Sequence, residues 1–372
     1  MRRAFAAMTL AAMCLSLTGC GGQSWLPEGR ELENMVLMRT LGVDRAEEGV
    51  MVTAASAEQS GGEQPAVVYS HSAGTVSAAC LAMQSRGSAY IFYGHVGELL
   101  AGEELAAAGL EEALGYVERD IEMRLDTEFY VVRGGNASDA ITALSESGTS
   151  ASERLESMAE DAGLMAASMP RTVRELLSDT ARCGATFAPA LTLTGEERGY
   201  DLAADGYALL KDSALIGFAE GDAALGINLL LGRVEADVVE CPTAQSTAAL
   251  RVVGAQTKIS PVFENGTLTG LTVQCAVDAS VAQGPENLDL EHSPEEQKAL
   301  ETALAQTERE RIVAALTLFQ TLDADCLDLC RKAGMSAPWR WAALQDQWGE
   351  AFSALPFRVE VTASIRRGYD VK

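Results

Sequence analysis

Apolar and polar positions fall in short blocks along the chain, and the block lengths predict strands and helices in turn. Met35–Val43 is an apolar-rich run, Asp44-Arg45-Ala46-Glu47-Glu48-Gly49 a polar turn, and Val50–Ser56 a second run, which together predict two strands. Thr75–Gln84 sets Val76, Ala79, Cys80 and Met83 at helical spacing. Ala89–Tyr93 and Val96–Ala101 predict two further strands around Gly94-His95. Glu103–Glu118 predicts a helix with acids in its first turn, where the helix dipole favours them. Thr127–Val132 predicts a strand that ends at Gly134-Gly135. Strands alternating with helices in this way predict an α/β domain over residues 30–145.

Past Ser147 the pattern changes. Ala, Ser, Glu and Met at helical spacing run to Pro189, with Pro170 dividing them, so residues 146–200 read as a helical linker or small middle domain. Gly206–Phe218 is strand-like with a turn near Lys211-Asp212. Ala248–Thr257 and Leu268–Ala282 flank Asn265-Gly266, a hairpin signal because both residues tolerate positive φ. Ser293-Pro294-Glu295-Glu296 opens a long helix with a cap residue, proline at the first helical position and a glutamate to complete a capping box. It is expected to run to about Lys332 and stop at Gly334, with Leu300, Leu304, Ile312, Leu316 and Leu322 as a core-facing stripe. Trp339, Trp341 and Trp348 follow on a short helix, and Phe357–Ile365 alternates as a terminal strand. The expected fold is a multidomain α+β or mixed α/β chain: an N-terminal α/β domain and, over 201–372, a C-terminal domain with an antiparallel-rich sheet and a long helix.

The first twenty residues obey a different rule. Arg2 and Arg3 precede a nearly unbroken apolar run from Phe5 to Leu17, shorter than the about 20 residues that span a bilayer. Leu17-Thr18-Gly19-Cys20 then has the form of a bacterial lipobox. Small residues at 18 and 19 enter a protease cleft in extended form, and the Cys20 thiolate is the soft nucleophile that takes a diacylglyceryl group. Residues 1–20 are thus expected to be a lipoprotein signal peptide, and 21–29, opening on Gly21-Gly22-Gln23-Ser24, a flexible linker. One acyl chain, at about 0.8 kcal/mol per buried CH₂, binds reversibly; two hold stably.

Charge narrows the partners. The formal net charge is −25, and losing Arg2 and Arg3 leaves 26 basic against 53 acidic residues, or −27. Nucleic acid repels such a chain, so none is expected as a partner. Six cysteines remain besides Cys14 and Cys20: Cys80, Cys183, Cys241, Cys275, Cys326 and Cys330. They make no Cys-x-x-Cys pair, and His71, His95 and His292 lie far from any cysteine pair in sequence, so no zinc site is expected. Cys326 and Cys330 would share a helix face, which suits a disulfide poorly. Most of the six read as small buried hydrophobes, and a disulfide between distant cysteines stays open.

Catalytic signatures are missing from the sequence: no Gly-x-Ser-x-Gly elbow, His-Glu-x-x-His, Walker loop or dinucleotide fingerprint occurs. His95, after a glycine between two strands, is the histidine placed where a base could be exposed. Without a neighbouring nucleophile its expected role is structural, bonding a backbone carbonyl. Arg119, Asp120 and Arg124 are read as an ion-pair cluster where a helix leads into a strand, and Glu47-Glu48 and Glu111-Glu112 as solvated faces. No catalytic residue, metal or cofactor is expected.

Five stretches nevertheless form an ordered series. They are Trp25 with Arg30-Glu31-Leu32-Glu33 behind the lipobox; Leu41-Gly42-Val43-Asp44; Phe92-Tyr93-Gly94-His95 through Gly102-Glu103-Glu104-Leu105-Ala106; Glu118-Arg119-Asp120-Ile121-Glu122-Met123-Arg124-Leu125 with Val131-Val132-Arg133-Gly134; and Gly206-Tyr207-Ala208 into Leu215-Ile216-Gly217-Phe218, with Trp348 and Arg366-Arg367-Gly368. With the lipobox, this series resembles the GerC-type, or Ger(x)C, family of spore germination lipoproteins, the C subunits of nutrient germinant receptors. The chain departs from that family in having Trp25 displaced from the lipid cysteine and Ile121 where proline is common.

The resemblance implies a non-enzymatic subunit, lipid-anchored on the extracytoplasmic face of the inner spore membrane, that acts as a scaffold or coupling subunit. Its implied partners are a germinant-sensing A-type membrane subunit and a transporter-like B-type membrane subunit. Gly94, His95, Arg119, Asp120 and Arg124 are the expected partner-contact residues. The alternative is a lipid-anchored solute-binding protein of a transporter, which needs two similar doubly wound lobes around a cleft. A secreted hydrolase working through His95 is disfavoured by the missing nucleophile–base pair.

Overall fold

The computed structural model describes residues 34–57, 66–85, 89–162, 168–196, 199–234, 236–243, 246–285, 288, 290, 292–339 and 348–366. The expected signal peptide, Cys20 and the linker lie outside the described residues, as do Trp25, Trp341 and Arg367-Gly368.

The chain forms two domains. Among the described residues, the first is a nine-stranded mixed sheet with helices on both faces. Its middle is parallel: β1 (Met35–Arg45), β5 (Glu98–Gly102), β6 (Glu128–Val132) and β7 (Ala185–Glu196) lie side by side. On one flank β2 (Val50–Ser56) and β3 (Val68–Ala73) run antiparallel; on the other do β8 (Gly199–Lys211) and β9 (Ala214–Ala219). A short strand β4 (Tyr90–Phe92) pairs with the start of β1. Parallel neighbours need long crossovers, and helices supply them: α1 (Val76–Gln84), α2 (Glu103–Ala108), α3 (Glu111–Arg119), α4 (Ala137–Glu146), α5 (Ala151–Asp161) and α6 (Val173–Cys183). Residues 146–200 thus supply α5, α6 and β7. The helix expected over 103–118 is two, broken at Gly109 (φ +129°), because Leu110 is fully buried and its N–H reaches Ser213 O in the β8–β9 turn at 2.8 Å.

Among the described residues, the second domain has a four-stranded sheet in the order β10 (Asp237–Pro242), β11 (Thr247–Glu264), β12 (Thr267–Gln283), β13 (Phe357–Arg366). The first three are antiparallel and β13 is parallel to β12. Asn265 and Gly266 turn the central hairpin, both at positive φ as the sequence predicts. The sheet packs against α8 (Pro294–Thr321), whose Leu300, Leu304, Ile312 and Leu316 are buried core. α7 (Gly221–Leu231) crosses α8 at Gly226, where a Cβ would stand 2.1 Å from Arg311 O.

The long helix departs from expectation at both ends. Ser293 makes no side-chain cap bond; the formed capping box is Thr172–Glu175, at the start of α6. The helix also stops at Thr321, eleven residues before Lys332. Asp323 and Asp328 adopt positive φ, and the buried Asp325 carboxylate takes Leu329 N (2.9 Å) and Cys330 N (2.7 Å), starting a new helix, α9 (Leu329–Ser336). The Trp348 indole, which opens α10 (Trp348–Ala354), donates to Asp325 at 3.0 Å. Cys326 therefore lies in a turn rather than on a helix face with Cys330. A disulfide joins Cys183 to Cys330 across 147 residues, while Cys80, Cys241, Cys275 and Cys326 are free and buried.

One wall serves both domains. Ala188, Ala208 and Leu210 face the core under α1–α3 and α6, whereas Phe187, Tyr207 and Leu209 on the same two strands belong to the core of the C-terminal domain. Tyr207 is fully buried, packs edge-on against Phe187 at 5.1 Å, accepts from Met169 N at 2.8 Å and donates to Asn228. Tyr207→Phe should cost about 1–3 kcal/mol by leaving those polar groups unpaired. Because the wall is shared, chemical denaturation followed by circular dichroism should still show one transition rather than two.

Candidate functional site

Parallel pairing gathers the starts of β1, β4, β5 and β6 at one end of the sheet: Met35 opposes Tyr90, Thr40 opposes Glu98, and Glu98 opposes Glu128. The loops 93–97 and 120–127 meet there. Glu122 ties them, accepting from Tyr90 Oη at 2.7 Å and from Tyr93 N at 3.2 Å. Gly94 allows the first loop to fold, since a Cβ would come within 2.4 Å of the Phe92 ring. His95 is exposed and sits edge-on to that ring at 5.8 Å. Its anchor is the ring, not the backbone carbonyl expected from sequence, and among the described residues neither His71 nor His95 is hydrogen-bonded to a serine, threonine or cysteine.

All five expected contact residues thus lie at this end, but Arg119, Asp120 and Arg124 do not form one ion-pair cluster. Arg124 clasps Asp126 through two bonds (2.9 and 2.5 Å), Asp120 accepts from Glu122 N (2.9 Å), and Arg119 is exposed, 3.9 Å from Glu118. Between them Ile121 is 92% exposed. A shallow depression of about 320 Å³ lined by Thr75, Glu112, Tyr116, Arg119 and Asp120 borders the loop. Glu112, expected as a solvated face, accepts from Val76 N at 2.9 Å at the start of α1.

At the opposite end, where the parallel strands finish, the fold builds an anion cradle and fills it. The N–H groups of Ala137 and Ser138 open α4, a position that favours an anion. Asp44 occupies it, accepting at 2.7 and 2.8 Å while only 1% exposed. Burial pushes its carboxyl above the ordinary value, and the two N–H bonds pull it back in part. Gly102 leaves room, as a Cβ there would be 2.2 Å from Asp44 Oδ1; Gly42 does the same for α4, with Ile141 Cδ1 at 2.8 Å. Arg133, beside this end, pairs with Asp205 (2.9 Å) and Glu220 and covers the Phe218 ring at 4.7 Å. Sequence reading missed Asp44, Glu122 and Arg133 as anchors because their partners are distant in the chain.

Cys183, Asp325 and Cys330 bring ligand atoms within 4.8 Å of one another. The two sulfurs are bonded to each other, however, and the carboxylate already takes two backbone N–H groups and an indole. No helix among the described residues is long and apolar enough to cross a membrane.

Two family profiles match the chain in sequence. One, described as "Spore germination protein N-terminal domain", spans residues 28–193. The other, "Spore germination B3/GerAC like, C-terminal", spans 205–369. The chain belongs to the GerAC/GerBC-type spore germination protein family. A solved structure described as "Crystal Structure of the GerBC protein" shares its fold, with a TM-score of 0.58 at 17% identity over 87% of this chain and 96% of that one. No curated protein matches it in sequence.

In this spore germination protein, three of the resembling stretches among the described residues prove to hold the frame together. Leu41-Gly42-Val43-Asp44 docks and caps α4; Gly102-Glu103 turns into α2, with Glu103 accepting from Gly134 N at 2.6 Å; the stretch around Glu122 pins the loops at the strand starts. Asp44→Ala should orphan two buried N–H groups and cost about 1–3 kcal/mol in urea denaturation.

Beside the strand starts, Glu98 is 3% exposed and accepts from Thr40 Oγ1 at 3.1 Å. Burial pushes its carboxyl from 4.5 to about 7, against the pull of Thr40 and Arg39 and with a further push from Glu128. The folded state therefore holds this proton more tightly than the unfolded chain. Its stabilising effect is full below pH 4.5 and is lost as pH rises through about 7. Glu98→Gln should raise the thermal midpoint relative to wild type at pH 8, and the gain should vanish by about pH 5.

Proposed function

We propose that this chain is a non-enzymatic, lipid-anchored subunit of a spore nutrient germinant receptor, held by acylated Cys20 on the extracytoplasmic face of the inner spore membrane. There it couples A-type and B-type membrane subunits as a scaffold. What supports the reading is where the first described strand begins. Met35, the first residue of β1, pairs with Tyr90 at the end of the sheet that carries Gly94, His95, Arg119, Asp120 and Arg124. Residues 21–33 separate Cys20 from the first described residue, and thirteen residues reach at most about 45 Å. An acylated Cys20 would therefore keep that end within about 45 Å of the bilayer, close to integral partners. The filled cradle at Asp44 favours coupling over ligand capture by this subunit.

A tether acts by concentration: partners search a membrane plane instead of a volume. Cys20→Ala in a sporulating host should release the protein from membranes and slow nutrient germination at least about tenfold. Retention on membranes with unchanged germination would overturn the anchor. Arg119→Glu with Arg124→Glu should leave the protein membrane-bound but lower its recovery with the membrane subunits. Normal recovery would remove this face from the reading while leaving the anchor untouched.

A further inference from the structure

The disulfide is placed as a clamp. Cys183 is the last residue of α6, in the N-terminal domain, and Cys330 lies in the first turn of α9, in the C-terminal domain. A solvent-open groove of about 430 Å³ runs beside it, lined by Arg182, Cys330, Arg331, Gly334, Met335 and Pro338. The Arg182 and Arg331 side chains at its margin are 42% and 47% exposed, and each pairs with Asp328. Asp328 Oδ1 lies 3.2 Å from Cys183 Sγ and 3.6 Å from Cys330 Sγ. Cys183 is partly buried, whereas Cys330 (2% exposed) and the four free cysteines among the described residues (at most 5%) are buried, and burial pushes each free thiol up.

We propose that the Cys183–Cys330 bridge is a thiol-exchange site, opened by a small dithiol that attacks at the partly buried Cys183 beside the groove, and that opening it releases α9 from α6. The guanidiniums at the margin favour approach of an anionic thiolate. One thiolate of the dithiol attacks Cys183 Sγ; the S–S bond breaks, and its electron pair goes to Cys330 Sγ. That sulfur takes a proton from water, and Asp328 accepts the resulting hydrogen bond. The second thiolate attacks the mixed disulfide and expels the Cys183 thiolate, which is protonated in turn. The protein gains two electrons and two protons, and the dithiol leaves as a cyclic disulfide. Reduction deletes the covalent link between the domains but leaves the β7–β8 wall, so the reduced protein stays folded with a looser α9.

The test uses the full mature chain under native conditions, treated with dithiothreitol and then a maleimide, with labelled sites read by peptide mass spectrometry. Without reductant neither Cys183 nor Cys330 should label; after it, these two should label and the four buried cysteines should not. The thermal midpoint should fall by roughly 10 °C, since the bridge closes a long loop. A Cys183→Ser, Cys330→Ser double variant should start at the lowered midpoint and ignore dithiothreitol. Labelling of either cysteine before reduction, resistance of the bridge until the protein is denatured, or an unchanged midpoint after reduction would each overturn the proposal. Label on Cys20 would instead count against the lipid anchor, so the two failures are separable.

Discussion

The structure depends on a wall buried from both sides. Strands β7 and β8 send alternate residues into different cores, so the two-residue period of a strand becomes the joint between domains. Ala188, Ala208 and Leu210 are small or compact and face helices of the first domain; Phe187, Tyr207 and Leu209 are larger and fill the second. The two family profiles meet between residues 193 and 205, within this hairpin. A polypeptide cut there would carry a raw strand edge and an uncovered apolar face on each half, a recipe for aggregation. Sequence families and folding units part company at this point.

The sequence made some of this visible and hid the rest, for identifiable reasons. Local chemistry was legible. Asn265-Gly266 announced a hairpin, Met35–Val43 a strand, and Leu300 to Leu316 a core stripe, because each depends on neighbours in the chain. Breaks enforced from a distance were not. Nothing local divides 103–118 except Gly109; the pull on Leu110 comes from Ser213. The long helix seemed to continue through 322–328 because its apolar spacing continued, yet Asp325 spends both carboxylate oxygens starting a fresh helix. α7 escaped notice altogether, since a run of Ala, Leu and Gly from 221 to 231 has little polar contrast to give a period.

The candidate site divides in the same way. The ordered motif series pointed to the right family. It did not say what its residues do, and most of them turn out to hold the frame. Glu122 binds two loops, Gly94 makes room for a ring, and Arg124 closes on Asp126. Left over are groups with little to do inside the fold: Arg119, His95 and the outward Ile121. Residues unclaimed by packing are the ones a neighbour can claim.

Asp44 carries a further consequence. Its carboxylate sits where many α/β proteins seat a phosphate or an acid, so the molecule has become its own ligand there. That arrangement is chemically reversible. Trimming the side chain to a hydrogen would leave a dry, acetate-sized berth lined by two amide protons. The same backbone would then offer a carboxylate-sized socket where the native side chain now supplies its own acid.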